Sequence, residues 1–347
     1  MGKPRIILVG SQNLGGLRDD GETMKNYMLS KGLEACGCEV CRIDMRHRPK
    51  RVFYMGKYLL NLLFCRKSKL IISSSSLVAN KLLKLARFLG WKGENEYYWV
   101  IGGLFGSLVA EAVLKKELYL DINRIIVEGQ SMKEQLESEG FTNVMVLPNM
   151  KEIDYVPKKT YDEREEKRFV FLGRVMPEKG VDYILEASRH LIASGVDNFS
   201  VDLYGSIPPQ YKEKLESELA TLPNVSYKGF LMLNEKEGFD TLATYDAMLF
   251  PTFWYGEGFP GVLIDAFVSG LPVIASDWNL NSSLISTGKN GIIIPPHDPI
   301  ALAETMRDVI EGRIDIRQMA ENAQACCREY DLSNVINGEL LKALNIL

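Results

Sequence analysis

The stretch EGFPGVLIDAFVSGLPVIASD, Glu257 to Asp277, decides how this chain is read. A short loop, Glu257-Gly258-Phe259-Pro260-Gly261, opens an apolar helical run. The run stops at Gly270, and Pro272 to Ala275 follows at once as a buried strand. A helix N-terminus carries unsatisfied backbone N–H groups and the positive end of the helix dipole, so a phosphate seats there readily. Glu257 stands in the loop at that seat, and Asp265 lies eight residues on, about two turns along the same helix face. A carboxylate repels a phosphate, so both acids are read as partners of hydroxyl groups. Phosphates together with hydroxyls describe a sugar nucleotide. The plainer reading of Glu257 is an acid that complements the helix dipole, worth a few tenths to about 1 kcal/mol. Asp265 has Val262, Leu263, Ile264, Ala266 and Phe267 around it, and an acid in apolar surroundings needs a partner.

Upstream, Phe171-Leu172-Gly173-Arg174-Val175-Met176-Pro177-Glu178-Lys179-Gly180 places two cations just after a strand. Such a pair can clamp a diphosphate, the Arg bidentately. Taken alone, an Arg and a Lys five apart are ordinary surface, and it is the company of the later loop that gives them a role. Gly15-Gly16 follows the first strand, and Gly205-Ser206 follows another and is read as approaching the nucleotide.

These segments resemble the family-4 retaining glycosyltransferases of GT-B architecture. The stretch Glu257–Asp277 is similar to that family's C-terminal signature, residues 171–180 to its G-R-x-x-x-x-K-G segment, and Asn290-Gly291 and Pro295-Pro296 continue the match. It is specific over about 169–325 and weaker before that. The resemblance implies that Glu257 contacts the donor sugar, that Asp265 holds the ribose where the family usually has Glu, and that Arg174 and Lys179 neutralise the leaving diphosphate. Phe259 and Pro260 are read as lending backbone N–H or shape to the phosphate site, Pro260 having no N–H to donate, with Gly173 and Gly258 beside them. The resemblance implies that Gly15 and Gly16 lie near the donor phosphates and acceptor, and that Phe230 in Gly229-Phe230-Leu231 lies near the base. The chain contains no Asp-x-Asp motif, which fits the metal-independent route the family implies, with no cofactor and a nucleotide-diphospho sugar (UDP-sugar being commonest) as donor. Many members carry a histidine after the fourth N-domain strand. This chain has Gly102-Gly103 there, and its histidines are His47, His190 and His297.

At 347 residues the default is two domains. Strands are expected at 3–10, 39–43, 70–72, 97–101, 124–127 and 144–147, with the serine run Ser73–Ser76 closing the third. Pro148 to Lys167 breaks the rhythm as a linker. Strands at 169–172, 201–204, 225–227, 247–250 and 272–275 then alternate with helices again. Such alternation is α/β with parallel, doubly wound sheets. The expectation is two Rossmann-like domains, 1–155 for the acceptor and 168–330 for the nucleotide sugar, facing across a cleft, with a terminal helix in 331–347 crossing back.

The net charge of −4 hides an asymmetry: Arg42–Lys92 holds thirteen Lys and Arg against one acid, Asp44. Phe53, Tyr54, Tyr58, Leu59, Leu60 and Phe64 interleave with them. Basic and apolar residues on short helices fit an anionic membrane surface. A solvated basic face is the competing reading; no nucleic-acid module accompanies the charge. No apolar run is long enough to span a bilayer and no signal peptide is read. The six cysteines are read as reduced thiols in a cytoplasmic setting. Taken with the family resemblance, the expectation is a cytoplasmic glycosyltransferase, peripheral on the inner face of the cell membrane, that acts on a glycan or lipid-linked acceptor in capsule, exopolysaccharide or O-antigen assembly. Two alternatives stay open: an inactive glycosyltransferase-like binding subunit, and a GT-B-fold sugar-nucleotide epimerase.

Overall fold

The structure, a computed structural model, describes residues 2–16, 20–46, 50–159, 166–233 and 235–347. His47, Arg48 and most of the charge-dense stretch 158–167 lie outside these residues. The chain divides into two compact units, Met1–Glu152 with Glu329–Leu347, and Ile153–Arg328.

The first unit is built on β1 (Arg5–Gly10), β2 (Glu39–Asp44), β3 (Lys69–Ser75), β4 (Glu96–Ile101), β5 (Arg124–Val127) and β6 (Val144–Val146). All pairings are parallel, in the order β2-β1-β3-β4-β5-β6. Central strands of a parallel sheet are covered on both faces, so Ile6, Ile7, Leu8 and Val9 form one unbroken buried run. The serine run does not close β3. Ser73 to Ser75 stay in the strand, and Ser73 and Ser74 are buried. Their backbone carbonyls accept hydrogen bonds from Asn26 Nδ2 (3.1 Å) and the Tyr98 hydroxyl (3.4 Å). Small side chains are what let those donors approach.

Helices Arg51–Phe64 and Ser76–Phe88 follow β2 and β3 and pack together. The Tyr58 hydroxyl donates to the Leu82 carbonyl at 3.0 Å, and Trp91 Nε1 to the Leu62 carbonyl at 2.7 Å. The last residues of the chain form two short helices, Leu332–Val335 and Gly338–Ala343, in place of one. Asn337 breaks the run and caps the second helix, its side chain accepting from Leu340 N at 2.9 Å.

The second unit is built on β7 (Lys167–Leu172), β8 (Phe199–Tyr204), β9 (Val225–Gly229), β10 (Ala247–Phe250), β11 (Val273–Ser276) and β12 (Gly291–Ile294). They are parallel in the order β12-β11-β10-β7-β8-β9. β12 is a strand that the sequence reading does not include. Within this unit the strand order runs third, second, first, fourth, fifth, sixth, so it reverses between β7 and β10. In open α/β sheets, ligands bind outside the carboxyl ends of the strands at such a reversal. No helix among the described residues is long and apolar enough to cross a membrane.

Candidate functional site

The carboxyl ends of β7, β8 and β9 are laced together by backbone hydrogen bonds. Gly173 N donates to Tyr204 O at 3.0 Å, Val175 N to Ser206 O at 2.8 Å and Gly205 N to Gly229 O at 2.8 Å. The approach requires glycine at 205: its φ is +136°, and a Cβ there would stand 1.7 Å from the Gly173 carbonyl oxygen. Phe230 is an exposed aromatic just past β9, two strands out from β7.

Arg174 leaves the end of β7 with its guanidinium 4.8 Å from the centre of the Trp254 ring. It forms no ion pair with a described residue, so its N–H fork is available to an anion. Lys179 closes the single turn Pro177–Lys179. Gly180 follows with φ +82°, and a Cβ there would meet the Pro251 carbonyl oxygen at 2.1 Å. Only glycine lets this turn press against the chain leaving β10. The Lys179 ammonium is thereby delivered to the Glu257 carboxylate, and they form an ion pair. Thr252 Oγ1 donates to the same carboxylate oxygen at 3.1 Å. Burial lowers the Lys179 pKa and the nearby Arg174 charge acts in the same sense, against the opposing pull of Glu257.

The Glu257 side chain and that of Lys179 are each only 11% exposed. One expectation for the signature loop changes: Glu257 does not lie on the helix with Asp265. The helix is Gly261–Val268, its N-cap is Pro260, and no side chain caps it. Two-turn spacing on one face therefore does not describe the pair, because the loop turns before the helix begins. Asp265 is buried in the helix's second turn. Gly258 is half-buried and Phe259 buried beside the helix start.

Sequence reasoning missed the residues that hold this loop. Glu257 N donates to Trp254 O at 3.0 Å, and Trp254 N to Thr252 Oγ1 at 3.2 Å. From beyond β11, Trp278 Nε1 donates to Trp254 O at 2.9 Å and Asn279 Nδ2 to Glu257 O at 2.8 Å. A lone aromatic or amide in a loop carries no periodic signal, so only the tertiary contact identifies it.

Gly15 and Gly16 belong to the first unit, on the loop leaving β1. Asp44 at the end of β2 anchors this loop, its carboxylate accepting from Gln12 N (3.0 Å), Leu14 N (2.9 Å) and Arg46 N (3.0 Å). Burial pushes the Asp44 carboxyl up, but these backbone donors outweigh it and hold it below its ordinary range. Next to Gly102-Gly103, where the family histidine has no counterpart, the buried Lys25 ammonium bonds Val100 O at 3.1 Å and Glu128 at 2.8 Å. Among the described residues, no group of three or more His, Cys, Asp or Glu is placed to hold a metal ion.

Residues 153–325 match the family model described as Glycosyl transferases group 1. The chain is 28% identical over 162 residues to the D-rhamnosyltransferase WbpZ of Pseudomonas aeruginosa, 46% of this chain and 40% of that protein. It is 25% identical over 157 residues to the O-antigen chain mannosyltransferase C of Escherichia coli, 45% of this chain and 40% of that protein. The chain thus spans about two fifths of the length of each of these relatives. Among solved structures, Anabaena Alr3699/HepE in complex with UDP and glucose superposes with a TM-score of 0.71 at 17% identity, covering 99% of this chain and 100% of that one. The likeness shows the fold: two Rossmann-like units of GT-B type.

Proposed function

We propose that this chain, which belongs to the group 1 glycosyltransferases through residues 153–325, transfers a sugar from a nucleotide-diphospho donor with retention of configuration and without a metal ion. The observation that carries this reading is the gathering of Arg174, Lys179 and Glu257 where the strand order reverses, beside the start of a helix that no side chain caps. As the glycosidic bond of the donor breaks, charge builds on the departing diphosphate. Groups already aimed at that charge stabilise it without reorganising. Arg174 offers a guanidinium fork, the helix 261–268 its free N–H groups, and Lys179 an ammonium. The Glu257 carboxylate, held by Lys179 and Thr252, is an acceptor for donor-sugar hydroxyls. Asp265 serves the ribose, Gly173, Gly205, Gly258 and Phe259 shape the phosphate and nucleotide site, and Phe230 lies by the base.

The acceptor in this reading is a glycan or a lipid-linked glycan, in O-antigen, capsule or exopolysaccharide assembly at the cytoplasmic face of the membrane. The O-antigen mannosyltransferase among the relatives supports that setting, and the UDP held by the structural neighbour supports a UDP-sugar as first donor to try.

The test is a panel of nucleotide sugars with and without lipid-linked acceptor, scored for nucleoside diphosphate release and for the anomeric configuration of the product by NMR. Acceptor-dependent release that survives chelator, with a retained anomer, is expected. A strict Mn²⁺ or Mg²⁺ requirement or an inverted product overturns the mechanism. Nucleotide binding without turnover would make the chain a binding subunit, and interconversion of the donor sugar would make it an epimerase.

A further inference from the structure

We propose that the paired helices Arg51–Phe64 and Ser76–Phe88 form a docking face for an anionic lipid surface. Neither helix contains an acidic residue. Both leave large apolar side chains in solvent: Val52 is 86% exposed, Phe64 79% and Phe88 85%, with Phe53, Leu60 and Leu77 more than half exposed. Single exposed apolar residues are normal on any protein. Several on two contacting helices form a patch, and a patch marks an interaction surface.

The charge around this patch is more selective than the sequence count suggests. Arg42 pairs with Glu34 at 2.7 Å, Arg46 with Asp20, and Arg87 with Glu96 at 2.7 Å and Asp121 at 2.6 Å. Those cations are already neutralised. Lys50 and Arg51 at the start of the first helix, Arg66 and Lys67 after its end, and Lys81 and Lys84 on the second helix are exposed and pair with no described acid. The free positive charge is therefore concentrated on the two helices that expose the Phe rings.

This combination selects the partner. Apolar side chains of an interfacial helix enter the headgroup boundary while its cations meet lipid phosphates. A nucleic acid would use the cations and leave Phe64 and Phe88 in water. A helix of 14 residues is about 21 Å long, so the two together present a face that can lie in the membrane plane. The inference is independent of the sugar-transfer reading and adds to it a means of reaching an acceptor held in a membrane.

Vesicle co-sedimentation of the full chain tests it, with phosphatidylcholine vesicles against vesicles containing 30% phosphatidylglycerol. The wild-type protein should pellet with the anionic vesicles at low salt and be released as salt rises. Changing Lys50, Arg51, Lys81 and Lys84 together to Gln should weaken binding by about a hundredfold or more, at roughly fivefold per cation near the surface. Phe64→Ser with Phe88→Ser should also release the protein, at unchanged net charge. Both positions are solvent-exposed, so circular dichroism and UDP affinity without vesicles should match wild type. No pelleting of wild type with anionic vesicles, equal pelleting with neutral ones, or wild-type binding by the Phe64→Ser/Phe88→Ser variant overturns the proposal. So does binding to duplex DNA that exceeds vesicle binding and ignores the Phe changes. UDP affinity reports the donor site separately, so the two readings fail independently.

Discussion

Lys179 and Glu257, 78 residues apart in the chain, close into an ion pair at the carboxyl ends of β7 and β10. Each side chain is largely withdrawn from water, so neither can be removed without leaving the other charged and poorly solvated. The pair joins the segment read as a diphosphate clamp to the loop read as a sugar contact. It makes them one unit, and their substitutions should not behave independently.

A double-mutant cycle on Glu257→Ala and Lys179→Ala measures that coupling. In urea unfolding, the two single changes should each destabilise, and the double change should cost less than their sum by about 0.5–3 kcal/mol. Glu257→Gln keeps an acceptor for Thr252 while removing the charge. Its sugar-transfer rate should fall by about 10- to 100-fold, since a hydrogen bond to a charged group is worth about 1.5–3 kcal/mol. Additive destabilisation would mean that the ion pair contributes nothing. Near-normal turnover in Glu257→Gln would remove the carboxylate from the chemistry.

Arg174 and Trp254 form the second long-range contact of the site. Arg174→Ala should weaken UDP binding by about 10- to 100-fold, on the same scale for charge-assisted contacts. The indole face orients the guanidinium and itself offers no charge to a phosphate. Trp254→Leu should therefore cost about 0.5–2 kcal/mol of UDP affinity, the worth of the cation–π contact. That cost should vanish in an Arg174→Ala background. Calorimetry showing the same loss from Trp254→Leu in both backgrounds would show that Trp254 acts on the ligand or the loop by another route.

Gly180 and Gly195 have nearly the same backbone, φ +82° and +81°, but different surroundings. A Cβ at 195 meets nothing within 4 Å, so Gly195→Ala should pay only the left-handed backbone penalty of about 1–2 kcal/mol. A Cβ at 180 collides with Pro251, so Gly180→Ala should cost more, about 3 kcal/mol or above, and displace Lys179 from Glu257. Equal unfolding free energies for the two variants would show that the turn shifts freely and does not fix Lys179.

The sequence makes most strands legible because β1, β3, β7 and β10 are buried on both faces and read as apolar runs. It is misleading at Ser73–Ser75, where residues that usually mark turns complete a strand because buried neighbours take up their carbonyls. β12 opens on the turn pair Asn290-Gly291 and its two central isoleucines are only half-buried, so the turn signal masks its short apolar run. The helix 51–64 has no polar outer face to set against its buried one, so its apolar pattern does not point to a core. At the site, the residue types of the glycine loops and of Arg174, Lys179 and Glu257 are local signals. That Lys179 meets Glu257, or Arg174 meets Trp254, is a matter of strand order, and spacing along the chain carries no trace of it.

Glu96, the first residue of β4, has a fully buried side chain against Arg87, whose Nε lies 2.7 Å away. Burial pushes its pKa up to about 7, against the opposing pull of Arg87. In the unfolded chain the group returns to its ordinary value near 4.5. Between those two pH values the folded protein holds a proton that the unfolded chain has released. Stability from this group is therefore greatest below about pH 4.5 and is lost as pH rises through about 7. The amount is on the order of 3 kcal/mol, from 1.36 kcal/mol for each pH interval of one. Thermal unfolding from pH 5 to pH 8 should show the wild-type protein losing stability relative to Glu96→Gln, in which Arg87 keeps Asp121 at 2.6 Å. The amide neither titrates nor carries charge into the core, so Glu96→Gln should be flatter across this range and relatively more stable at pH 8. Parallel curves for the two proteins would show that Glu96 stays ionised in the fold, and that Arg87 fully offsets its burial.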